Sequence, residues 1–144
     1  MADDAGRRAG IDCRKAMRQP GVQDAVHGRV IAEGGRIGAV GETGIDMYWP
    51  GRLDGCATPD QQREAFAWHI DLAKRTGKAL QIHDRDSHDD VLRILAEEGA
   101  PETTVLHCFS GDLAMARECV ERGYLLSFAG TLTFKSAGGL REVL

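Results

Sequence analysis

Three times in this chain an apolar stretch gives way to an amphipathic stretch that halts at a lone glycine: Gly77, Gly99 and Gly123. That punctuation constrains the fold more than any other feature. Glycine after the last helical residue supplies the left-handed turn that ends a helix. A short apolar run with no charge suits a strand buried on both faces. Strand then helix, repeated at this spacing, is the pattern of βαβ units and a parallel sheet, with right-handed crossovers.

The units are expected as follows. Ile37–Gly41 is a first strand, followed by a glycine-rich loop through Gly44, Pro50, Gly51 and Gly55. Thr58-Pro59-Asp60-Gln61 opens a helix, with Thr58 as cap, Pro59 at the first helical position and Gln61 closing a capping box. It runs to Thr76 and buries a stripe of Phe66, Ile70 and Ala73. Ala79–His83 is a second strand, and Ser87 caps a helix carrying Val91, Leu92, Ile94 and Leu95. Thr104–His107 is a third strand, Asp112–Arg122 a third helix and Tyr124–Phe128 a fourth strand. Gly139–Leu144 looks like a helix still in progress. The expectation is an α/β fold, with either an open doubly wound sheet or part of a (β/α)₈ barrel. A complete barrel takes about 250 residues, so 144 residues hold about half of one.

The first 35 residues differ. Their apolar residues have no sustained period, apart from a helical turn expected at Val22–Val26. The chain is therefore divided into a divergent or disordered segment, 1–35, and an α/β domain, 36–144. The N-terminus lacks the apolar core of a secretory signal, and no run is long enough to span a bilayer. A cytoplasmic protein with no membrane partner is expected. Cys13, Cys56, Cys108 and Cys119 include no C-x-x-C pair and are expected as reduced thiols.

In a parallel sheet the carboxyl ends of successive strands line one edge, where α/β sites form. Glu42, His83 and His107 each stand at such an end. A carboxylate and two imidazoles are a ligand set for Zn²⁺ and similar ions, because both offer lone pairs near neutral pH. Any one of them alone reads equally well as a helix cap or a core hydrogen-bonder.

The same residues carry a resemblance. Gly41-Glu42-Thr43-Gly44-Ile45-Asp46, Gln62-Arg63-Glu64-Ala65-Phe66, Ile82-His83-Asp84-Arg85-Asp86, Leu106-His107-Cys108-Phe109-Ser110-Gly111 and Gly130–Phe134 resemble, in order and spacing, segments of the TatD family of metal-dependent hydrolases. The resemblance implies a TIM-barrel fold of the amidohydrolase type and one or two divalent ions (Mg, Mn or Zn). It implies deoxyribonuclease activity with DNA as substrate, and as an alternative an ester or amide substrate such as aminoacyl-tRNA. It makes Glu42 the metal-bridging carboxylate, with His83 and His107 completing one ion site. The family's H-x-H pair and late E-T-D motif are absent from the chain, so the expected activity is weak. A non-catalytic remnant, or an assembly unit self-associating through exposed barrel edges, is the rival expectation.

Other residues are weighed singly. Asp46 is expected to orient a ligand, or to be an ordinary loop carboxylate. Arg85 is expected to meet a substrate phosphate or to pair with a nearby carboxylate. Tyr48 and Trp49 are expected either to line the cleft and stack on a base or to pack beneath the rim. Cys108 is expected to be small and buried, His69 to be helix packing and His88 to lie on an exposed face. Thr133 and Lys135 receive no role. The net charge of −4 gives no general support for a nucleic-acid partner.

Overall fold

The computed structural model describes residues 37–54 and 56–144. The expectations for residues 1–35, the Val22–Val26 turn and Cys13 among them, and for Gly55 lie outside the described residues. Four strands form one parallel sheet in sequence order: β1 (Ala39–Asp46), β2 (Ala79–Arg85), β3 (Thr104–Leu106) and β4 (Leu125–Leu126). Helices α1 (Pro59–Thr76), α2 (His88–Glu98) and α3 (Leu113–Glu121) alternate with them, and a 3₁₀ turn (Gly130–Thr133) and a one-turn α4 (Gly138–Arg141) follow. Strands in sequential order with helical crossovers of one hand build a barrel wall, not a doubly wound sheet. The sheet is open, as expected of an incomplete TIM-type barrel.

The helices begin and end for identifiable reasons. Thr58 Oγ1 accepts from the Gln61 N–H at 3.3 Å, and Gln61 Oε1 accepts from the Thr58 N–H at 3.0 Å, closing the expected capping box. Gly77 ends α1 at φ +63°. Asp112 caps α3 by accepting from the Met115 N–H at 2.9 Å. Ser87 does not cap α2; its hydroxyl lies within hydrogen-bond distance of two acceptors, the Ile45 carbonyl at 2.8 Å and Asp84 Oδ1 at 2.9 Å, tying the end of β1 to the β2–α2 loop.

One face of the sheet carries the core. Val40 and Ile45 of β1 and Leu80 and Ile82 of β2 pack against Phe66, Ile70, Leu72 and Ala73 of α1 and Val91, Ile94 and Leu95 of α2. A smaller cluster joins Leu92, Leu106, Phe109, Met115, Ala116 and Cys119. Arg63 bolts α1 to α2, its Nη2 lying 2.7 Å from Asp90 Oδ2. Hydrogen bonds from Arg63 and Arg93 hold the Asp90 carboxyl below its ordinary range.

Several boundaries depart from expectation, and β2 runs past its expected end at His83 to Arg85. β1 runs on to Asp46, so Glu42 and Gly44 lie within a strand and not after it. Ladder pairing explains the extension. Val40 pairs with Leu80 and Thr43 with Ile82, so β1 carries one extra residue between them. That bulge contains Gly41 and Glu42, whose peptide is cis. At Gly44 (φ +139°) a Cβ would fall 1.9 Å from the His83 carbonyl oxygen, so only glycine lets the two backbones approach. β4 is only Leu125–Leu126, although Ser127 still bonds across to the Leu106 carbonyl and the Phe109 N–H. The expected terminal helix amounts to the single turn of α4.

Candidate functional site

β2 is buried at Leu80 and Ile82, so the alternate residues Gln81, His83 and Arg85 face away from the helices, into what a closed barrel would enclose. Glu42, turned out by the β1 bulge, reaches the same side. Its Oε1 lies 3.2 Å from His83 Nδ1. The other ring nitrogen, Nε2, lies 3.0 Å from Asp46 Oδ2. His83 thus stands between two carboxylates at the carboxyl edge of β1 and β2. The edge is open to solvent: the side chains of His83 and Glu42 are 38% and 47% exposed, that of Asp46 only 19%.

Asp46 is held from several directions. Its Oδ1 accepts from the Tyr48 N–H at 2.8 Å and, more loosely, from the Trp49 N–H at 3.3 Å, an Asx turn. The side-chain amide of Gln62 grips its backbone twice: Oε1 accepts from the Asp46 N–H at 2.7 Å, and Nε2 donates to the Asp46 carbonyl at 3.1 Å. Gln62 had no expected role. Only its place in the Gln62–Phe66 motif marked it, and its partner lies 16 residues upstream.

His107 sits one strand over, its N–H donating to the Ile82 carbonyl at 2.8 Å. Its ring meets other groups: Nε2 lies 3.2 Å from Cys108 Sγ, and Nδ1 lies 3.4 Å from Ser127 Oγ. Ser127 also accepts from the Cys108 N–H at 3.1 Å, fixing a turn in which Cys108 takes φ +49°. Of the expected ligands, then, the fold brings Glu42 and His83 into contact and leaves His107 with partners of its own. Among the described residues no three His, Cys, Asp or Glu side chains converge on one point. The Glu42–His83 pair has the donor chemistry of a divalent-cation site, a carboxylate oxygen and an imidazole nitrogen 3.2 Å apart where solvent reaches them.

The remaining expectations resolve by position. Cys108 is half-buried, not buried, because its left-handed turn lifts it towards the rim. His88 is not simply exposed: its Nδ1 lies 2.6 Å from Asp84 Oδ2, and that carboxylate is almost wholly buried. His69 is buried as helix packing. Its Nδ1–H donates to the Ala65 carbonyl at 2.6 Å, Thr43 Oγ1 lies 3.1 Å away, and burial lowers its pKa. Burial likewise pushes the Cys119 thiol up to about 11, so it stays protonated at neutral pH. Arg85 is exposed and pairs with no carboxylate among the described residues; its guanidinium lies over the Tyr48 ring, 3.8 Å from the centroid. No described helix is long and apolar enough to cross a membrane.

Known proteins share this arrangement of sequence. Residues 13–144 match the family model described as TatD related DNase. The chain is 68% identical over 109 residues to the uncharacterized metal-dependent hydrolase TatD of Mycobacterium tuberculosis (strain ATCC 25618 / H37Rv), covering 76% of this chain and 41% of that protein. It is 40% identical over 110 residues to the uncharacterized metal-dependent hydrolase YabD of Bacillus subtilis (strain 168), again covering 76% and 41%. The crystal structure of YJJV, a TatD homolog from Escherichia coli K12, superposes with a TM-score of 0.72 at 28% identity, over 85% of this chain and 45% of that one. A TatD family hydrolase from Entamoeba histolytica gives the same TM-score at 21% identity, over 90% and 42%, a likeness of fold. The chain spans about two-fifths of the length of the curated relatives it matches.

Proposed function

Because the chain belongs to the TatD related DNase family, we propose that it carries the central part of a metal-dependent hydrolase acting on the phosphodiester bonds of DNA. The observation that carries this reading is the Glu42–His83 contact of 3.2 Å at the open carboxyl edge of two parallel strands. Relatives at 68% and 40% identity bear the name metal-dependent hydrolase, which supports a divalent ion here.

Glu42 and His83 would hold that ion, and His107 would join as third donor only by turning away from Cys108 and Ser127. The chemistry supplied there when an ion is bound would be polarisation of a phosphoryl oxygen and acidification of water. The protein's own part is orientation. The β1 bulge aims Glu42 at His83, and Asp46 backs the far side of the imidazole, limiting the ring's rotation. Neither an H-x-H pair nor an E-T-D motif occurs in this sequence to supply a second ion site or a carboxylate that positions water.

Titration of the chain with Mn²⁺ and Zn²⁺, followed by calorimetry, tests the site. One ion per chain is expected, lost in His83→Ala and in Glu42→Gln; no uptake of either metal sinks the proposal. Loss of a positioned general base costs about 10²–10⁴-fold, so metal-dependent DNA hydrolysis is expected that far below a complete relative. A rate equal to that relative's would mean that another part of the chain or a second chain supplies the missing groups.

Self-association is a second reading, favoured by one observation. Leu125 in the edge strand β4 and Phe134 after the 3₁₀ turn are 57% and 61% exposed apolar groups. A dimer in size-exclusion chromatography that dissociates in Leu125→Ser would support it, and a monomer at high concentration would remove it.

A further inference from the structure

Beside Glu42 and His83 lies a cluster in which a cation is held by rings alone. Arg85 stands two residues beyond His83 on β2, so both side chains leave the same face of the strand. Its guanidinium lies 3.8 Å from the centroid of the Tyr48 ring and 6.0 Å from that of Trp49. Tyr48 and Trp49 meet edge to face at 4.9 Å, and Trp49 is 43% exposed. Arg52 also lies over the Tyr48 ring, 4.7 Å from its centroid, its Nη1 donating to the Tyr48 carbonyl at 2.6 Å.

The charge arithmetic is unusual for this chain. Arg63 and Arg93 share Asp90, Arg75 pairs with Asp71 and Arg122 with Glu118. Arg85, alone of these, faces π-clouds and leaves its forked N–H donors without a described acceptor. Stacking fixes the plane of a guanidinium without using its donors, which are suited to two oxygens of one phosphate. The turn that presents the rings is not free to drift, because Asp46 Oδ1 accepts from both the Tyr48 and the Trp49 N–H groups while Oδ2 faces His83. A single carboxylate therefore ties the aromatic turn to the imidazole.

We propose that Arg85 and Trp49 form a specificity-determining subsite that takes one nucleotide unit flanking the scissile bond, Arg85 binding its phosphate and Trp49 stacking on its base. The proposal rests on the hydrolase reading for its substrate class. The base must be unstacked, since a ring can cover a base only where its neighbour in the strand does not. The chain as a whole is acidic, with a net charge of −4, so the contact is assigned to one local cation and one exposed ring.

Fluorescence anisotropy of the full chain with a labelled oligothymidylate of about eight nucleotides, in EDTA, tests this without turnover. Saturable binding is expected, with duplex and abasic oligomers binding more weakly. Trp49→Ala is expected to weaken binding by about 5–150-fold, the range a single base stack represents, with Trp49→Phe restoring most of it. Arg85→Gln is expected to lower the slope of log affinity against log salt by about 0.7, the share of one phosphate on a single strand, while Arg85→Lys keeps it. Both positions are exposed, and unchanged circular-dichroism melting verifies that the variants fold. No binding, equal binding of duplex or abasic oligomers, or indifference to Trp49→Ala overturns the subsite. Oligomer binding without metal uptake would instead sink the hydrolase reading and leave the subsite standing.

Discussion

The two halves of this sheet are built to different depths. β1 and β2 are eight and seven residues long, pair along most of their length, and cover a core that α1 and α2 close from one side. β3 and β4 have three and two residues, and Leu125 within β4 and Phe134 after it stand exposed. Glu42 and His83 face each other in the first half, while His107 belongs to the second and keeps company with Cys108 and Ser127. Preorganisation follows pairing: where the ladder is long and the helices seal one face, side chains on the other face are held in fixed relation.

The sharpest way to break this comparison is to empty the first core. Phe66, fully buried between α1 and the sheet, is expected to cost about 3–5 kcal/mol on replacement by alanine, measured by urea unfolding. A loss below about 1 kcal/mol would mean that the first half is not the seat of stability. Gly44→Ala comes next. It drives a methyl group into the His83 carbonyl at φ +139°, and a loss of more than about 1 kcal/mol is expected together with weaker metal uptake. Metal affinity unchanged in this variant would show that the close β1–β2 approach does not set the site.

Acid should also find the first half. Burial depresses the His69 pKa, so the unfolded chain binds a proton that the folded chain refuses. Stability is therefore full above the unfolded value near 6.5 and is lost as pH falls below it, by at most about 1.4 kcal/mol per pH unit. Midpoints of urea unfolding between about pH 5 and 8 should show that slope, reduced in His69→Leu; an unchanged slope assigns the acid sensitivity elsewhere. The smallest effect is expected at the other edge. Leu125→Ser should stay within about 0.5 kcal/mol, as for an exposed surface position, and a cost rivalling that of Phe66→Ala would erase the contrast.

Much of this was legible in the sequence because the signals are local. Thr58, Pro59, Gln61 and Gly77 bound α1 by hydrogen bonds that close within a few residues. Gly99 and Gly123 stand just past α2 and α3, and the apolar stripes follow the helical period. From such signals the α/β class and the order of the units could be read, whereas the expected strand ends at Glu42 and His83 proved to lie inside β1 and β2.

The tertiary structure decided what depends on a partner distant in the chain. Gly44 looks like a loop glycine until β2 lies beside it, when it becomes the one residue that lets the His83 carbonyl approach. The extra residue in β1 shows only in the register against β2, and it is what turns Glu42 towards His83. Arg85 had two expected fates, and the structure shows a third arrangement: its guanidinium lies over the Tyr48 ring with no facing carboxylate among the described residues. Gln62 and Ser127 acquire roles only through backbone and side-chain groups 16 to 20 residues away. The physical reason is common to all of these. Periodicity and caps are written in contacts a few residues apart, whereas the geometry of a site at a strand edge is set by pairing register, which no single segment contains.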